Sequence, residues 1–137
     1  MARYAELFRN VLGNQGAEAS VDDDSEKIIP GQSGYTLLFV DDEDGVLKAL
    51  RRIFQDENYQ ILTASTASEA LTILEKHTIH LIVSDHRMPG MTGAQLLKRI
   101  KERWPETIRI MLTGYADVQS IMGAVNEGSV YKFITKP

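Results

Sequence analysis

Asp85 ends an apolar run, His80-Leu81-Ile82-Val83-Ser84, and turn-forming residues follow at once in His86-Arg87-Met88-Pro89-Gly90-Met91-Thr92-Gly93. A carboxylate is thereby set at the mouth of a strand. A second run, Tyr35 to Val40, ends in Asp41-Asp42-Glu43-Asp44; a third, Ile108 to Leu112, ends in Thr113-Gly114; a fourth, Val130 to Thr135, ends in Lys136-Pro137. Carboxylates, a hydroxyl and an ammonium therefore collect at strand C-termini, the edge where open α/β sheets build ligand sites. Carboxylates crowded into one crevice repel by about 4 kcal/mol per close pair at an intermediate dielectric. They call for a cation, and an all-oxygen donor set suits Mg²⁺ or Mn²⁺. The competing explanation for Asp41 to Asp44 is local, since acids at a helix start complement its dipole. Asp85, Thr113 and Lys136 at three other strand ends favour a site. Asp is an established nucleophile toward phosphorus. A metal and Lys136 would neutralise the transferred oxygens and Thr113 would hydrogen-bond one of them, so the set is equipped to accept a phosphoryl group.

The elements that must position these groups follow from the apolar pattern. From Tyr35 onward, runs of about five apolar residues alternate with amphipathic stretches, the pattern of repeated βα units around a parallel sheet. Strands are expected over 35–40, 59–64, 79–84, 108–112 and 130–135. Their continuous rather than alternating hydrophobicity fits a sheet covered on both faces. Helices are expected over 45–56 (Val46, Leu47, Leu50, Ile53 and Phe54 inward), 68–76 (Ala70, Leu71, Leu74), 93–104 (Leu96, Leu97, Ile100) and 117–126 (Val118, Ile121, Met122, Val125). Thr66 or Ser68, Thr92 and Asp117 are the expected caps of the last three. The predicted fold is α/β, a flavodoxin-like doubly wound five-stranded parallel sheet in the order 2-1-3-4-5. In that order the first and third strands meet at the switch point, so Asp41, Asp42 and Asp85 face one crevice. The chain stops at Pro137, directly after the last strand, where a fifth helix would normally follow, so either the natural protein continues or something else is expected to cover that flank.

Residues 1–34 differ in kind. Three basic residues oppose six acidic ones there, so the segment holds most of the net charge of −4. Tyr4, Leu7, Phe8, Val11 and Leu12 recur at helical spacing and predict a short amphipathic helix; Gly16 to Gly34 reads as an acidic, flexible linker. The domain reading is thus 1–34 as helix and linker and 35–137 as one domain lacking its last helix. The apolar stripe offers a cover for the flank a fifth helix would occupy, within one chain or reciprocally in a homodimer; the alternative is a flexible leader or a helix belonging to another region of the parent protein.

Composition narrows the function classes. The 43 % hydrophobic content is ordinary for a globular domain. No basic cluster exceeds Arg51-Arg52 or Lys98-Arg99-Ile100-Lys101, which argues against direct nucleic-acid binding. No cysteine is present, which excludes disulfide and thiol chemistry. No apolar stretch approaches the roughly 20 residues of a membrane helix, and no secretory signal is evident, so a cytoplasmic protein is expected. His77, His80 and His86 are scattered, as packing or surface residues are. Trp104 before Pro105 reads as an anchor at a helix end, Met88 and Met91 as loop packing, and Tyr131 equally as strand packing or a partner contact.

Taken together, Asp41-Asp42-Glu43, Asp85 with Met88-Pro89-Gly90 and Gly93, Thr113-Gly114, Phe133 and Lys136-Pro137 closely resemble the receiver domain of two-component response regulators. The resemblance spans about residues 35–137. It implies that Asp85 is the phosphoacceptor, that Asp42 binds Mg²⁺ directly and Asp41 through water, and that the carbonyl of Arg87 supplies a backbone ligand. It also implies that Thr113 and Phe133 are switch residues, Phe133 standing where the family often has tyrosine, that Lys136 pairs with the phosphoryl group, and that the Lys136-Pro137 peptide is cis. The partners implied are a sensor histidine kinase and an output domain or partner protein. Arg87 and Tyr115, two residues beyond Asp85 and Thr113, are candidates for tuning hydrolysis of the acyl phosphate. No enzymatic activity is expected beyond self-phosphotransfer and autodephosphorylation. The residues around Asp85, Thr113 and Lys136 further resemble receivers joined to HD-GYP-type outputs.

Two other readings compete. A haloacid-dehalogenase-like phosphatase also uses an Asp nucleophile, Mg²⁺, a hydroxyl and a Lys, yet normally carries a second Asp where this chain has Arg87. A non-phosphorylated interaction module would retain the fold alone.

Overall fold

A computed structural model of the chain describes residues 34–135. The expected N-terminal helix and linker, Lys136 and the Lys136-Pro137 bond lie outside the described residues, as does the side chain of Tyr115. The elements run β1 (Thr36–Val40), α1 (Asp44–Ile53), β2 (Gln60–Ala64), α2 (Ala67–Lys76), β3 (Leu81–Asp85), α3 (Gly93–Arg103), β4 (Ile108–Thr113), a 3-10 turn over Tyr115–Asp117, α4 (Val118–Asn126) and β5 (Lys132–Thr135). All strand pairs are parallel and the order is β2-β1-β3-β4-β5. This is the flavodoxin-like arrangement expected.

Each strand feeds both faces of the sheet, because successive side chains point to opposite sides. Leu37, Phe39, Leu81, Val83, Ile110 and Leu112 pack with Leu47, Leu50 and Phe54 of the α1 region. Leu38, Val40, Ile82 and Met111 face the other way, against Ala70 and Leu74 of α2, Leu96, Leu97 and Ile100 of α3, and Ile121 of α4. Two apolar layers explain why the strands read as unbroken hydrophobic runs.

Local signals set the helix limits. Thr66 rather than Ser68 caps α2, its hydroxyl accepting the Glu69 N–H at 3.0 Å, while the Glu69 carboxylate accepts the Ser65 N–H. At α3, Thr92 and Gln95 form a reciprocal capping box. The first helix stops at Ile53, short of Asp56, because Gln55 and Glu57 turn their N–H groups back onto Arg52 and Phe54. Ile79 and Val130 are buried but precede their strands, so β3 and β5 begin two residues later than predicted and β3 extends to Asp85. One expectation fails in detail. Asp117 occupies the cap position of α4, yet its side chain makes no capping hydrogen bond, because Arg87 takes it.

Candidate functional site

Sheet register brings the acids together. Val40 pairs with Ser84, so the next residues on β1 and β3, Asp41 and Asp85, leave adjacent strands side by side. The Asp41 N–H continues the ladder to Ala64 at 3.1 Å, and the Asp41 carboxylate accepts the Glu43 N–H at 2.9 Å. Asp41 and Asp85 are buried while Asp42 is exposed. One carboxylate oxygen of each lies within 4.8 Å of the others. Among the described residues no other trio of His, Cys, Asp or Glu side chains comes together this way.

The helix-capping explanation of the acidic run does not account for this geometry. Glu43 stands at the cap of α1 without a side-chain capping hydrogen bond, and Asp44 pairs with Lys48 along the helix surface at 3.1 Å. Asp41 instead shares the acid cluster with Asp85.

Asp85 is fixed on both sides of its strand. It pairs in register with Leu112, and the hydroxyl of buried Ser84 donates to its carbonyl at 2.9 Å. Gly93 opens α3 directly against that backbone and donates its N–H to the His86 carbonyl at 2.9 Å. A Cβ at Gly93 would meet the Asp85 carbonyl oxygen at 2.1 Å, so only glycine permits the approach.

One strand further on, Thr113 ends β4 fully buried. Its hydroxyl donates to the Gly114 carbonyl at 3.4 Å, beyond the usual range for such a bond. The same strand end pairs Thr113 with Thr135, the residue before Lys136. Phe133 is partly buried and packs on the face shared with Met111, Ile121 and Val130.

A pair that sequence reasoning missed lies beside these acids. Arg87 donates from Nε to both oxygens of Asp117, at 2.9 and 2.7 Å, and from Nη2 to Oδ1 at 2.7 Å. Asp117 is nearly buried and Arg87 largely exposed. Hydrogen bonding to Asp117, then its charge, pushes the Arg87 pKa above the ordinary value, and Asp85 adds in the same direction. The sequence signal was ambiguous, since an Asp ahead of a helix is a cap by default.

The histidines divide as packing residues do. The Nδ1 of His80 accepts the Thr36 N–H at 3.0 Å, its ring stands edge-on to Tyr35 at 5.4 Å, and burial lowers its pKa. A cavity of about 660 Å³ lined by Tyr35, His77, His80, Arg103 and Trp104 sits at the N-terminal edge of the sheet, away from the acids. Met88 is buried in the core, whereas Tyr131 stands 61 % exposed. No helix among the described residues is long and apolar enough to cross a membrane.

Comparison with known proteins finds relatives in sequence and in fold. Residues 37–137 match the family model of the response regulator receiver domain. The hydrogenase transcriptional regulatory protein HoxA of Cupriavidus necator is 46 % identical over 102 residues, covering 74 % of this chain and 21 % of that protein. The chain thus spans about a fifth of that relative's length. The signal receiver domain of an HD domain-containing protein from Pseudomonas fluorescens superposes with a TM-score of 0.71 at 35 % identity, covering 75 % of this chain and 76 % of that one. The response regulator TrrA of Thermotoga maritima, solved in complex with Mg²⁺ and BeF, gives a TM-score of 0.66 at 25 % identity, with 75 % and 87 % covered.

Proposed function

The chain belongs to the response regulator receiver domain family, and we propose that Asp85 is the residue on which it takes up a phosphoryl group. As a receiver of two-component signalling it is homologous to phosphoacceptor domains. The single observation that carries the assignment is the meeting of Asp41, Asp42 and Asp85 within 4.8 Å at the ends of adjacent strands.

The donor set fits a hard divalent cation. All three side chains offer oxygen, two from buried positions and one from an exposed position where waters can complete the shell. Asp42, Asp85 and the carbonyl of Arg87 would hold Mg²⁺ or Mn²⁺, with Asp41 acting through water. The metal would supply charge neutralisation on the transferred oxygens. The relative TrrA, solved with Mg²⁺ and BeF, supports this reading.

The chain's own groups then do the following. An oxygen of Asp85 attacks the phosphorus of a phosphohistidine on a sensor kinase, the P–N bond breaks, and the imidazole leaves. Thr113 donates its hydroxyl to one phosphoryl oxygen, and Lys136 pairs with another. Phe133 follows Thr113 inward and alters the surface of α4 and β5, where Tyr131 is exposed. Phosphorylation biases this change only through contacts made better in the active state. Arg87 and Tyr115 tune the return hydrolysis; an unchanged rate in the double alanine variant contradicts that role.

The relatives support two kinds of output. The similarity to HoxA favours a transcriptional regulator, whereas the HD domain-containing neighbour favours a receiver driving an HD-type output. In either case this domain signals through a partner and turns over no external substrate.

Treatment with phosphoramidate and Mg²⁺ tests the assignment by intact mass. The parent chain should gain a phosphoryl adduct and Asp85→Asn should not. Labelling of Asp85→Asn equal to the parent would sink the assignment, and hydrolysis of phosphate esters would indicate the phosphatase reading instead.

A further inference from the structure

Asp117 is the first helix-capping candidate of α4, yet both of its carboxylate oxygens are engaged by Arg87, which lies two residues past Asp85. Resting on the phosphoacceptor reading above, we infer that Asp117 is a positioning residue that holds the Arg87 guanidinium off the phosphoryl group and so sets how long that group survives on Asp85.

The geometry is specific. Nε and Nη2 reach one carboxylate together, a forked contact that fixes the plane of the guanidinium as well as its distance. The carboxylate belongs to the end of the 3-10 turn that begins two residues after Thr113, while the guanidinium belongs to the loop leaving β3. The pair therefore bridges the two loops that carry the acceptor and the hydroxyl. Arg87 is 75 % exposed on its side chain and Asp117 only 11 %, so the acid is the buried partner and the arginine reaches it from the solvent side. A hollow of about 520 Å³ lined by His86, Arg87, Met88, Thr92, Asp117 and Ser120 adjoins the pair.

Two anions compete for this one cation. Asp117 touches it, and the charge of Asp85 already acts on it from further away. A phosphoryl group raises the negative charge at Asp85 and offers oxygens suited to a guanidinium. Hydrolysis requires a water oxygen to attack phosphorus as the P–O bond to the Asp85 carboxylate breaks, releasing inorganic phosphate with the water's proton and restoring the carboxylate. A guanidinium lying across the phosphoryl oxygens obstructs that approach. Held by Asp117, it leaves the approach open.

The test is a two-by-two comparison of the parent chain, Asp117→Asn, Arg87→Gln and the double variant. Each is phosphorylated with phosphoramidate and Mg²⁺, freed of donor, and followed by intact mass as the adduct decays, with a thermal melt on each to establish folding. Asp117→Asn should lengthen the half-life roughly fivefold, and the double variant should decay like Arg87→Gln alone, because the effect passes through the arginine. Equal half-lives for the parent and Asp117→Asn, a shorter one in Asp117→Asn, or the same change in both Arg87 backgrounds would overturn the inference alone. Failure of the parent to form an adduct would overturn the phosphoacceptor reading and this inference with it.

Discussion

Gly93 and Asp85 are in backbone contact: the first residue of α3 sits so close to the end of β3 that an added methyl would lie 2.1 Å from the Asp85 carbonyl oxygen. Two effects oppose one another on substitution. Alanine is the better helix former by about 1 kcal/mol, but the overlap is with backbone, which cannot rotate away as a side chain could. Overpacking of that kind costs about 1 to 3 kcal/mol. Gly93→Ala should therefore be destabilised in urea unfolding and should label more slowly with phosphodonor, because helix and acceptor must separate. A variant as stable as the parent would show that α3 does not press on β3 in solution.

The crowding of Asp41, Asp42 and Asp85 predicts a response to metal. Added Mg²⁺ should raise the unfolding midpoint, since a ligand that binds only the folded state at a hundred times its Kd stabilises by about 2.7 kcal/mol. Asp42 is the exposed member, so Asp42→Asn removes one repelling charge without emptying the core. Its metal-free form should be at least as stable as the parent, and its Mg²⁺ response should be much reduced. Melting curves with and without the ion measure both, and an undiminished response in Asp42→Asn would exclude it as a ligand.

The sheet and its chemistry were legible in the sequence for a common reason. Runs such as Leu37 to Val40 and Leu81 to Ser84 are apolar on both faces, so the polar residues ending them stand out, and the doubly wound order then brings them together. The side-by-side placement of Asp41 and Asp85 depends on the pairing of Val40 with Ser84, which no local pattern states. Strand ends were less legible, because Ile79 and Val130 are buried without pairing in the sheet. Arg109 shows a different limit. Inside an apolar strand its guanidinium donates to the carbonyls of Ser129, Thr107, Pro105 and Gly128, and burial lowers its pKa. The ion pair of Arg87 and Asp117 was hidden because its members are far apart in sequence and the acid looks like an ordinary cap.

Thr113 separates the hydroxyl from the space it fills. The side chain is fully buried, but the bond its hydroxyl donates to the Gly114 carbonyl is long at 3.4 Å. Thr113→Val keeps the shape and suits a strand, so stability should change by less than about 1 kcal/mol. Labelling of Asp85 should persist. The phosphorylation-dependent change in hydrogen exchange over α4 and β5 should be lost, because no hydroxyl remains to reach the phosphoryl group. Exchange that still responds as in the parent would remove Thr113 from the switch.

His80 gives the fold a pH dependence away from the acids. Its Nδ1 accepts the Thr36 N–H, which requires the neutral ring at that atom, and burial lowers its pKa below 6.5. Between the folded and unfolded values the unfolded chain binds more protons, so stability rises with pH across that window. The contribution is fully present above pH 6.5 and is lost as the pH falls toward the lowered folded value. His80→Gln has no titrating ring, so the stability difference between the parent and this variant should shrink or reverse from pH 7.5 to pH 5.5, as urea unfolding at the two pH values measures. A difference that stays constant would mean that His80 titrates alike in both states and that the Thr36 contact does not depend on its protonation.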